Sequence, residues 1–266
     1  MTADELRAWP VWKGFDTIEL AEMSAVKLMN RVDTKFLLPQ ALLGELLERA
    51  KSDYRVQVIG GDPVAAYDSL YYDTAGLYMY TRHHDRQLSR EKVRCRNYVG
   101  SDLAFLEVKH KNSKGRTKKK RVRIPVADFL DFKRDAEAVD FLRKEVPFAL
   151  DSLLPQLHTV FNRVTLVDRE KTERLTLDFN LRFVNVQTGL AAELGPLVVM
   201  ELKQDGLCRS RMKRILIDMR VHPFKMSKYC IGTVLTNPAA KRNRFKPKLI
   251  RIRKLIEKYQ TNTYEK

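Results

Sequence analysis

The chain is poor in the features that mark several large protein classes. It has only three cysteines in 266 residues (Cys95, Cys208 and Cys230), an odd number with no close spacing. That excludes a disulfide framework and a thiolate zinc site, and points to reduced, buried thiols. No apolar run approaches the roughly 20 residues that span a bilayer, and the first residues, Met-Thr-Ala-Asp-Glu-Leu-Arg, lack the basic and apolar regions of a signal peptide. A cytoplasmic protein is expected. No Gly-x-x-x-x-Gly-Lys-Ser/Thr loop, no Gly-x-Gly-x-x-Gly turn and no nucleophile elbow occur, so phosphate cradling by backbone amides is not indicated. The five histidines lack the i, i+4 spacing of a helical metal pair and are read as surface or satisfied side chains. There is no internal repeat and no long Gly/Ser/Pro linker, so residues 1–266 are read as one domain with a basic helical tail at about 241–266.

Acidic residues are also scarce relative to basic ones. Fifty Lys+Arg against 33 Asp+Glu give a formal charge of +17, which speaks of polyanionic partners. Residues 109–123 hold nine Lys/Arg and no acid, and residues 241–266 hold ten Lys/Arg against Glu257 and Glu265, a net of 10 − 2 = +8. On charge alone nucleic acid, an anionic membrane surface, nucleotides and inorganic polyphosphate stay open. Basic strands without interleaved RNP-type aromatics argue against specific RNA recognition.

What is present is a strand code. Lys92, Arg94 and Arg96 share one face of a strand, with Val93 and Cys95 on the other. Residues 103–109 set Phe105, Glu107 and Lys109 against Ala104, Leu106 and Val108. Arg121 and Arg123 oppose Val122 and Ile124, and Glu201 and Lys203 oppose Val198, Met200 and Leu202. In 174–183, Leu175, Leu177, Phe179, Leu181 and Phe183 are expected on one face. Further strands are expected at 31–38, 66–73 and 159–167. Helices are expected around 17–29, 39–52, 126–134, 137–145 and 207–219, and residues 112–117 read as a hairpin turn. Leu249, Ile252, Leu255 and Ile256 stand at helical spacing, which fits packing onto the domain with a solvated basic face; contact with an anionic surface is the other reading of that tail. Strands in runs broken by a few helices indicate an α+β antiparallel architecture.

The charged faces could be one wet side of an open sheet or the polar lumen of a barrel with its helices outside. A solvated face normally mixes signs, whereas these strands are mostly basic, which favours the lumen. Guanidinium forks and ammonium groups grip phosphoryl oxygens, and phosphoryl transfer asks little else of a protein beyond a divalent ion. Glu201 is the first candidate to hold that ion, with Glu107, Asp178 and Asp33 behind it. Each carboxylate could equally be an ion-pair partner.

In order, Arg31-Val32-Asp33-Thr34-Lys35-Phe36, Tyr72-Asp73-Thr74, Lys92-Val93-Arg94-Cys95-Arg96, Glu107-Val108-Lys109, Arg121-Val122-Arg123, Asn162-Arg163, Leu177-Asp178, Glu201-Leu202-Lys203 and Ser227-Lys228-Tyr229 resemble the VTC domain. This is the polyphosphate polymerase domain of the vacuolar transporter chaperone complex, a relative of the CYTH and triphosphate tunnel metalloenzymes. The resemblance spans about residues 15–235 and implies an eight-stranded antiparallel tunnel that transfers the γ-phosphoryl of ATP to a growing polyphosphate chain, with Mn2+ or Mg2+. It implies catalytic roles for Lys35, Arg94, Arg96, Lys109, Arg163 and Lys228, phosphate binding by Arg121, Arg123, Lys203 and Ser227, and metal ligation by Glu201. ATP and polyphosphate or pyrophosphate are the partners it implies. Phe161 stands where the eukaryotic polymerases resemble one another in having a tyrosine, and Arg121 where lysine is more usual. Neither an SPX-like sensor nor a transmembrane bundle accompanies the motifs, which fits a stand-alone, bacterial form. The alternatives are a tunnel triphosphatase and a non-catalytic polyanion-binding module. Tunnel triphosphatases resemble one another in paired glutamates on the first strand, and here that strand offers Arg31, Asp33 and Lys35.

Overall fold

A computed structural model describes residues 1–25, 31–206 and 209–261. After α1 (Ala3–Arg7) come β1 (Asp16–Glu19), β2 (Arg31–Pro39), α2 (Leu43–Ala50), β3 (Tyr54–Val58), β4 (Ala65–Thr74) and α3 (Tyr78–His84). The middle of the chain forms β5 (Arg90–Val99), β6 (Leu103–Lys111), β7 (Thr117–Ile124), α4 (Ala136–Glu145), β8 (Leu153–Asp168) and β9 (Glu173–Asn185). It ends with β10 (Ala191–Glu193), β11 (Leu197–Asp205), α5 (Arg211–Asp218), α6 (Lys228–Thr236) and α7 (Lys246–Thr261).

Eight strands form the main sheet in the order β2-β11-β9-β8-β4-β5-β6-β7, each neighbouring pair antiparallel. This is the expected α+β architecture, with one difference from a closed barrel: among the described residues β2 and β7 are the two ends and do not pair. The free side of β2 is instead met by the segment before α6, through a bridge between Phe36 and Pro223 and a 2.7 Å bond from the Phe224 N–H to the Lys35 carbonyl. Proline at that edge offers no further donor to a strand. The first four residues of β7 are all exposed and three are lysines, a charge that discourages pairing.

The sheet is rolled all the same. β5 and β9 are three steps apart, about 14 Å on a flat sheet. Yet the adjacent residues Ser227 and Lys228 bond side chains on both, Lys92 on β5 and Asp178 on β9. The N-terminus of α6 therefore sits inside a trough. Gly232 permits this: a Cβ there would lie 2.5 Å from both Leu157 and Phe183.

Apolar faces of the strands look outward onto helices. Phe36, Leu38, Met200, Leu202, Leu175 and Leu177 pack with Leu43, Leu46, Leu47 and Met212 of α2 and α5. Val93, Cys95, Leu106, Val108 and Ile124 pack with Met79 of α3 and with Ala138 and Leu142 of α4. Local caps set the helix starts: Asp135 accepts from Glu137 and Ala138 N–H, and Ser210 from Lys213 N–H. Asp73 accepts from the N–H groups of Thr74, Met79 and Tyr80 and from the Tyr229 hydroxyl, tying α3 to α6.

Most expected elements occur, including the hairpin turn, where Asn112 accepts from Gly115 and Arg116 and Gly115 takes φ 78°. Four expectations need correction or a limit. Residues 16–19 of the expected 17–29 helix are a strand parallel to β3, followed by a 3-10 turn over Leu20–Ala25, with Ile18 in a small cluster with Met23 and Val167; residues 26–29 lie outside those described. The 126–134 helix is two single 3-10 turns, and the Asp131 side chain caps the second. In β9 the single apolar face is broken. Asn180 takes φ 51° at a bulge opposite Val160–Asn162, so Phe179 packs outward while Leu181 and Phe183 join the cluster around α6. Cys95 and Cys230 are buried and free, while Cys208 lies outside the described residues.

Candidate functional site

Strand parity brings the charged residues together on the inner face. Lys35 and Glu201 are register partners on β2 and β11 and form an ion pair, and Lys203 Nζ lies 3.6 Å from the other Glu201 oxygen. Arg163 on β8 forks onto Asp178 of β9 at 2.6 and 2.9 Å, and Lys228 pairs with the same carboxylate. Arg94 donates twice to one Glu107 oxygen at 2.8 and 2.6 Å, and Lys119 to the other at 2.7 Å. Arg96 donates to Ser69 at 3.2 Å, and Lys92 to Ser227 at 2.6 Å.

Rings steer the guanidiniums. Tyr67 stacks on Phe161, with centroids 5.1 Å apart and planes 7° apart; Arg163 lies 4.8 Å from the Tyr67 centroid and Arg96 5.4 Å. Lys228 lies 4.6 Å from the Phe161 ring, and Arg121 4.3 Å from Phe105. Phe161, which lacks a hydroxyl, serves here as a platform.

The carboxylates are held ionised. Burial pushes Glu201 up, but Lys35 and then Lys203, with the Lys35 hydrogen bond and Arg163, hold it well below the usual carboxylate range. Asp178 is likewise lowered, its burial outweighed by Arg163 and Lys228, and Glu107 by Arg94, Arg96 and Lys119. Burial, only partly offset by Glu201, lowers Lys203 to about 8. Burial also lowers Lys109, which feels Glu201, Lys92, Lys35 and Asp33; β6 and β11 would be about 24 Å apart on a flat sheet, so the roll brings them within electrostatic reach.

Of the residues expected in the site, Lys35, Arg94, Arg96, Lys109, Arg121, Arg163, Lys203, Ser227, Lys228 and Glu201 share this trough. Arg123, near the C-terminal end of β7, is itself exposed and turned to the Asp102 carbonyl at 2.8 Å. Glu107 and Asp178, further candidates for metal, are each 2 % exposed and saturated by cations, so they act as counterions. Sequence reasoning left Lys92, Lys119 and Tyr71 out of the site. Parity places Lys92 on the face of Arg94 and Arg96, though without a role there, and Lys119 has the parity of Arg121, which could have found it.

Tyr71 accepts from Arg94 at 3.1 Å and stacks on Tyr229 at 5.2 Å. Burial pushes its phenol up, but Arg94, Arg96 and Lys92 pull it further down, to about 8. Its folded pKa is below the unfolded value, so this group adds stability as pH rises from about 8 toward the free phenol value of about 10. We expect one tyrosinate absorbance step near pH 8 in the folded protein that disappears in Tyr71→Phe. Loss of no phenol below pH 10 would show that the cations do not act on it.

Among the described residues no three His, Cys, Asp or Glu side chains come together to hold a metal. Glu201 is a single carboxylate, 17 % exposed, with lysines on both oxygens. Such a donor set fits Mg2+ or Mn2+ in one form, an ion carried largely by phosphate oxygens and water with Glu201 as its protein ligand. No helix among the described residues is long and apolar enough to cross a membrane.

The family model of the VTC domain matches residues 30–237, more than half of the chain. No curated protein matches. Among solved structures the chain is similar to PH1819 from Pyrococcus horikoshii OT3, at 16% identity and TM-score 0.43, covering 77% of this chain and 98% of that one. It is also similar to HpAC1 from Hippeastrum, an adenylyl cyclase candidate with a dominant triphosphatase activity, at 15% identity and TM-score 0.48, covering 77% of this chain and 96% of that one. A third similar structure is a conserved hypothetical protein from Pyrococcus furiosus, at 11% identity and TM-score 0.40, covering 75% and 99%.

Proposed function

This chain belongs to the VTC domain family, and we propose on that footing that its trough holds a linear phosphate chain and transfers the γ-phosphoryl group of ATP to the end of a growing polyphosphate. The observation that supports this best is the convergence of cations from β2, β5, β6, β7, β8, β11 and α6 on one rolled face, outnumbering the carboxylates Glu201, Asp178 and Glu107 that pair with some of them. A terminal phosphate oxygen of the polymer forms the new bond to the γ-phosphorus, the bond to the β-phosphate oxygen breaks, and ADP leaves. Arg163, Lys228, Arg94 and Arg96 are set by carboxylates and rings before any substrate arrives, so little reorganisation is needed to meet phosphoryl oxygens. Lys35 and Lys203 would bind beside Glu201. A divalent ion, when bound at Glu201, supplies charge neutralisation on the transferred group.

Cation excess also suits hydrolysis of a triphosphate, so the test must read the product. Purified protein incubated with ATP and Mn2+ is expected to produce phosphate polymers that run as a ladder on a polyacrylamide gel. Free phosphate without a ladder would move the reading to a tunnel triphosphatase, and binding without turnover to a polyanion-binding module.

A further inference from the structure

The basic C-terminal segment lies beyond residues 30–237, and the trough as described makes no use of it. It is firmly docked. The Tyr80 hydroxyl donates to the Lys241 carbonyl at 2.6 Å, Lys241 bonds Asp85 at 2.9 Å, and the Arg244 N–H donates to His84 Nε2 at 3.2 Å. Ile252 of α7 is buried, and Leu249, Leu255 and Ile256 pack on the cluster that includes Tyr229, Val234 and Phe245. Arg251 lies 5.2 Å from the ring of Phe224, whose N–H bonds the Lys35 carbonyl. These contacts set α7 beside β2, at the end of the trough where Lys92 meets Ser227.

That end carries an uncompensated charge. Arg90 stands directly opposite Lys111 and Lys92 opposite Lys109 in the β5–β6 register. Like charges so placed repel and destabilise the pair. Burial, with Lys92, Arg90, Lys248 and Lys111, lowers the His83 imidazole to about 2. Burial likewise lowers Lys248, with Arg86, Lys225 and Lys92 adding to it and Cys230 opposing. The nearby acids are turned elsewhere: Asp85 is shared by His84 and Lys241, and Glu91, of opposite parity to Lys92, lies 3.9 Å from His110.

We propose that Arg86, Arg90, Lys92, Lys111, Lys225 and Lys248 form a cationic mouth that α7 completes, and that this mouth holds the phosphates of a linear polyphosphate that extend beyond the trough. This rests on the polyphosphate reading of the trough. A chain fits better than a lipid surface because the apolar stripe of α7, Leu249, Ile252, Leu255 and Ile256, is packed on the core, which leaves Ile250 as the one exposed large apolar side chain among the described residues of the helix. Arg90, Lys92, Lys111 and Lys248 are also half-buried at the end of a groove.

The test compares tripolyphosphate with a polyphosphate of about 60 units for binding to the full chain, in wild type and in the double variant Lys225→Gln/Lys248→Gln. At about fivefold per surface lysine, long-chain affinity should fall about 25-fold, with a shallower salt dependence, while tripolyphosphate affinity stays within twofold. Equal losses for both ligands, or none, would overturn the proposal. So would long-chain affinity that is unchanged while binding to phosphatidylserine vesicles is lost, since that assigns the lysines to a membrane surface. If tripolyphosphate does not bind the wild type at all, the trough reading fails and the mouth, as its extension, falls with it; long-chain binding that still depends on the two lysines would then assign them to a polyanion surface separate from the trough. Circular dichroism and the melting temperature of the variant check that α7 remains docked.

Discussion

Glu201→Gln should abolish metal-dependent turnover of ATP, by about a hundredfold or more, while binding tripolyphosphate in the presence of EDTA at least as tightly as the wild type. The two effects separate because the carboxylate has two possible roles. As a metal ligand it is needed for charge neutralisation on the transferred group, an electrostatic contribution of the size that mutagenesis of such sites removes. As the counterion of Lys35 and Lys203 it weakens any incoming anion, and the amide leaves both ammonium groups free for phosphate. Removal of Mn2+ or Mg2+ from the wild type should reproduce the first effect. Turnover unchanged in Glu201→Gln would show that the residue is only a counterion and that the metal assignment is wrong.

Arg163→Met should be the most damaging change to the other half of the trough. It removes the fork on Asp178 and leaves Lys228 alone with a carboxylate that is 2 % exposed. Breaking a buried pair from one side costs about 3–5 kcal/mol of stability, and phosphoryl transfer should drop by about a hundredfold or more. Arg163→Met/Asp178→Asn should lose less stability than the sum of the single variants, because both single changes break the same fork and the double variant loses it only once. Acid melts add a signature. Asp178, Glu107 and Glu201 all titrate below their unfolded values, so their stabilisation is complete above about pH 5 and drains away as pH falls through about 4 and below. Asp178→Asn should flatten that acid limb. Identical acid limbs in wild type and variant, measured by urea unfolding between pH 3 and 7, would contradict the role of Asp178 as a buried anion.

The inner face of β5, β6, β7 and β11 was legible because two-residue alternation survives into the structure: Val93, Cys95, Leu106 and Val108 are buried in the outer core while Arg94 and Lys109 line the trough. It failed in β9, where one residue at φ 51° changes the phase, and asparagine's tolerance of that conformation was the only local hint. β1 is four residues long, too short for a period to register. α6 was invisible for the opposite reason: Tyr229, Cys230, Ile231, Thr233 and Val234 are all buried, so the helix has no polar face to announce it. The pairing of Glu107 with Arg94 and Lys119, or of Asp178 with Arg163 and Lys228, depends on register and on the roll of the sheet. One-dimensional spacing therefore left metal ligand and counterion as equal readings for those carboxylates. Asp73 shows the same limit, since its four hydrogen bonds reach from its own strand to a hydroxyl in α6.

The claim that this trough makes phosphoanhydride chains is tested most directly by phosphorus NMR of the wild-type protein with ATP and Mn2+-free Mg2+ buffer, followed over time. The account predicts internal-chain phosphate resonances that grow as the γ-phosphate of ATP declines, with one ADP for each phosphate incorporated and little free phosphate. Conversion of ATP to ADP with all of the lost phosphate appearing as inorganic phosphate would contradict it.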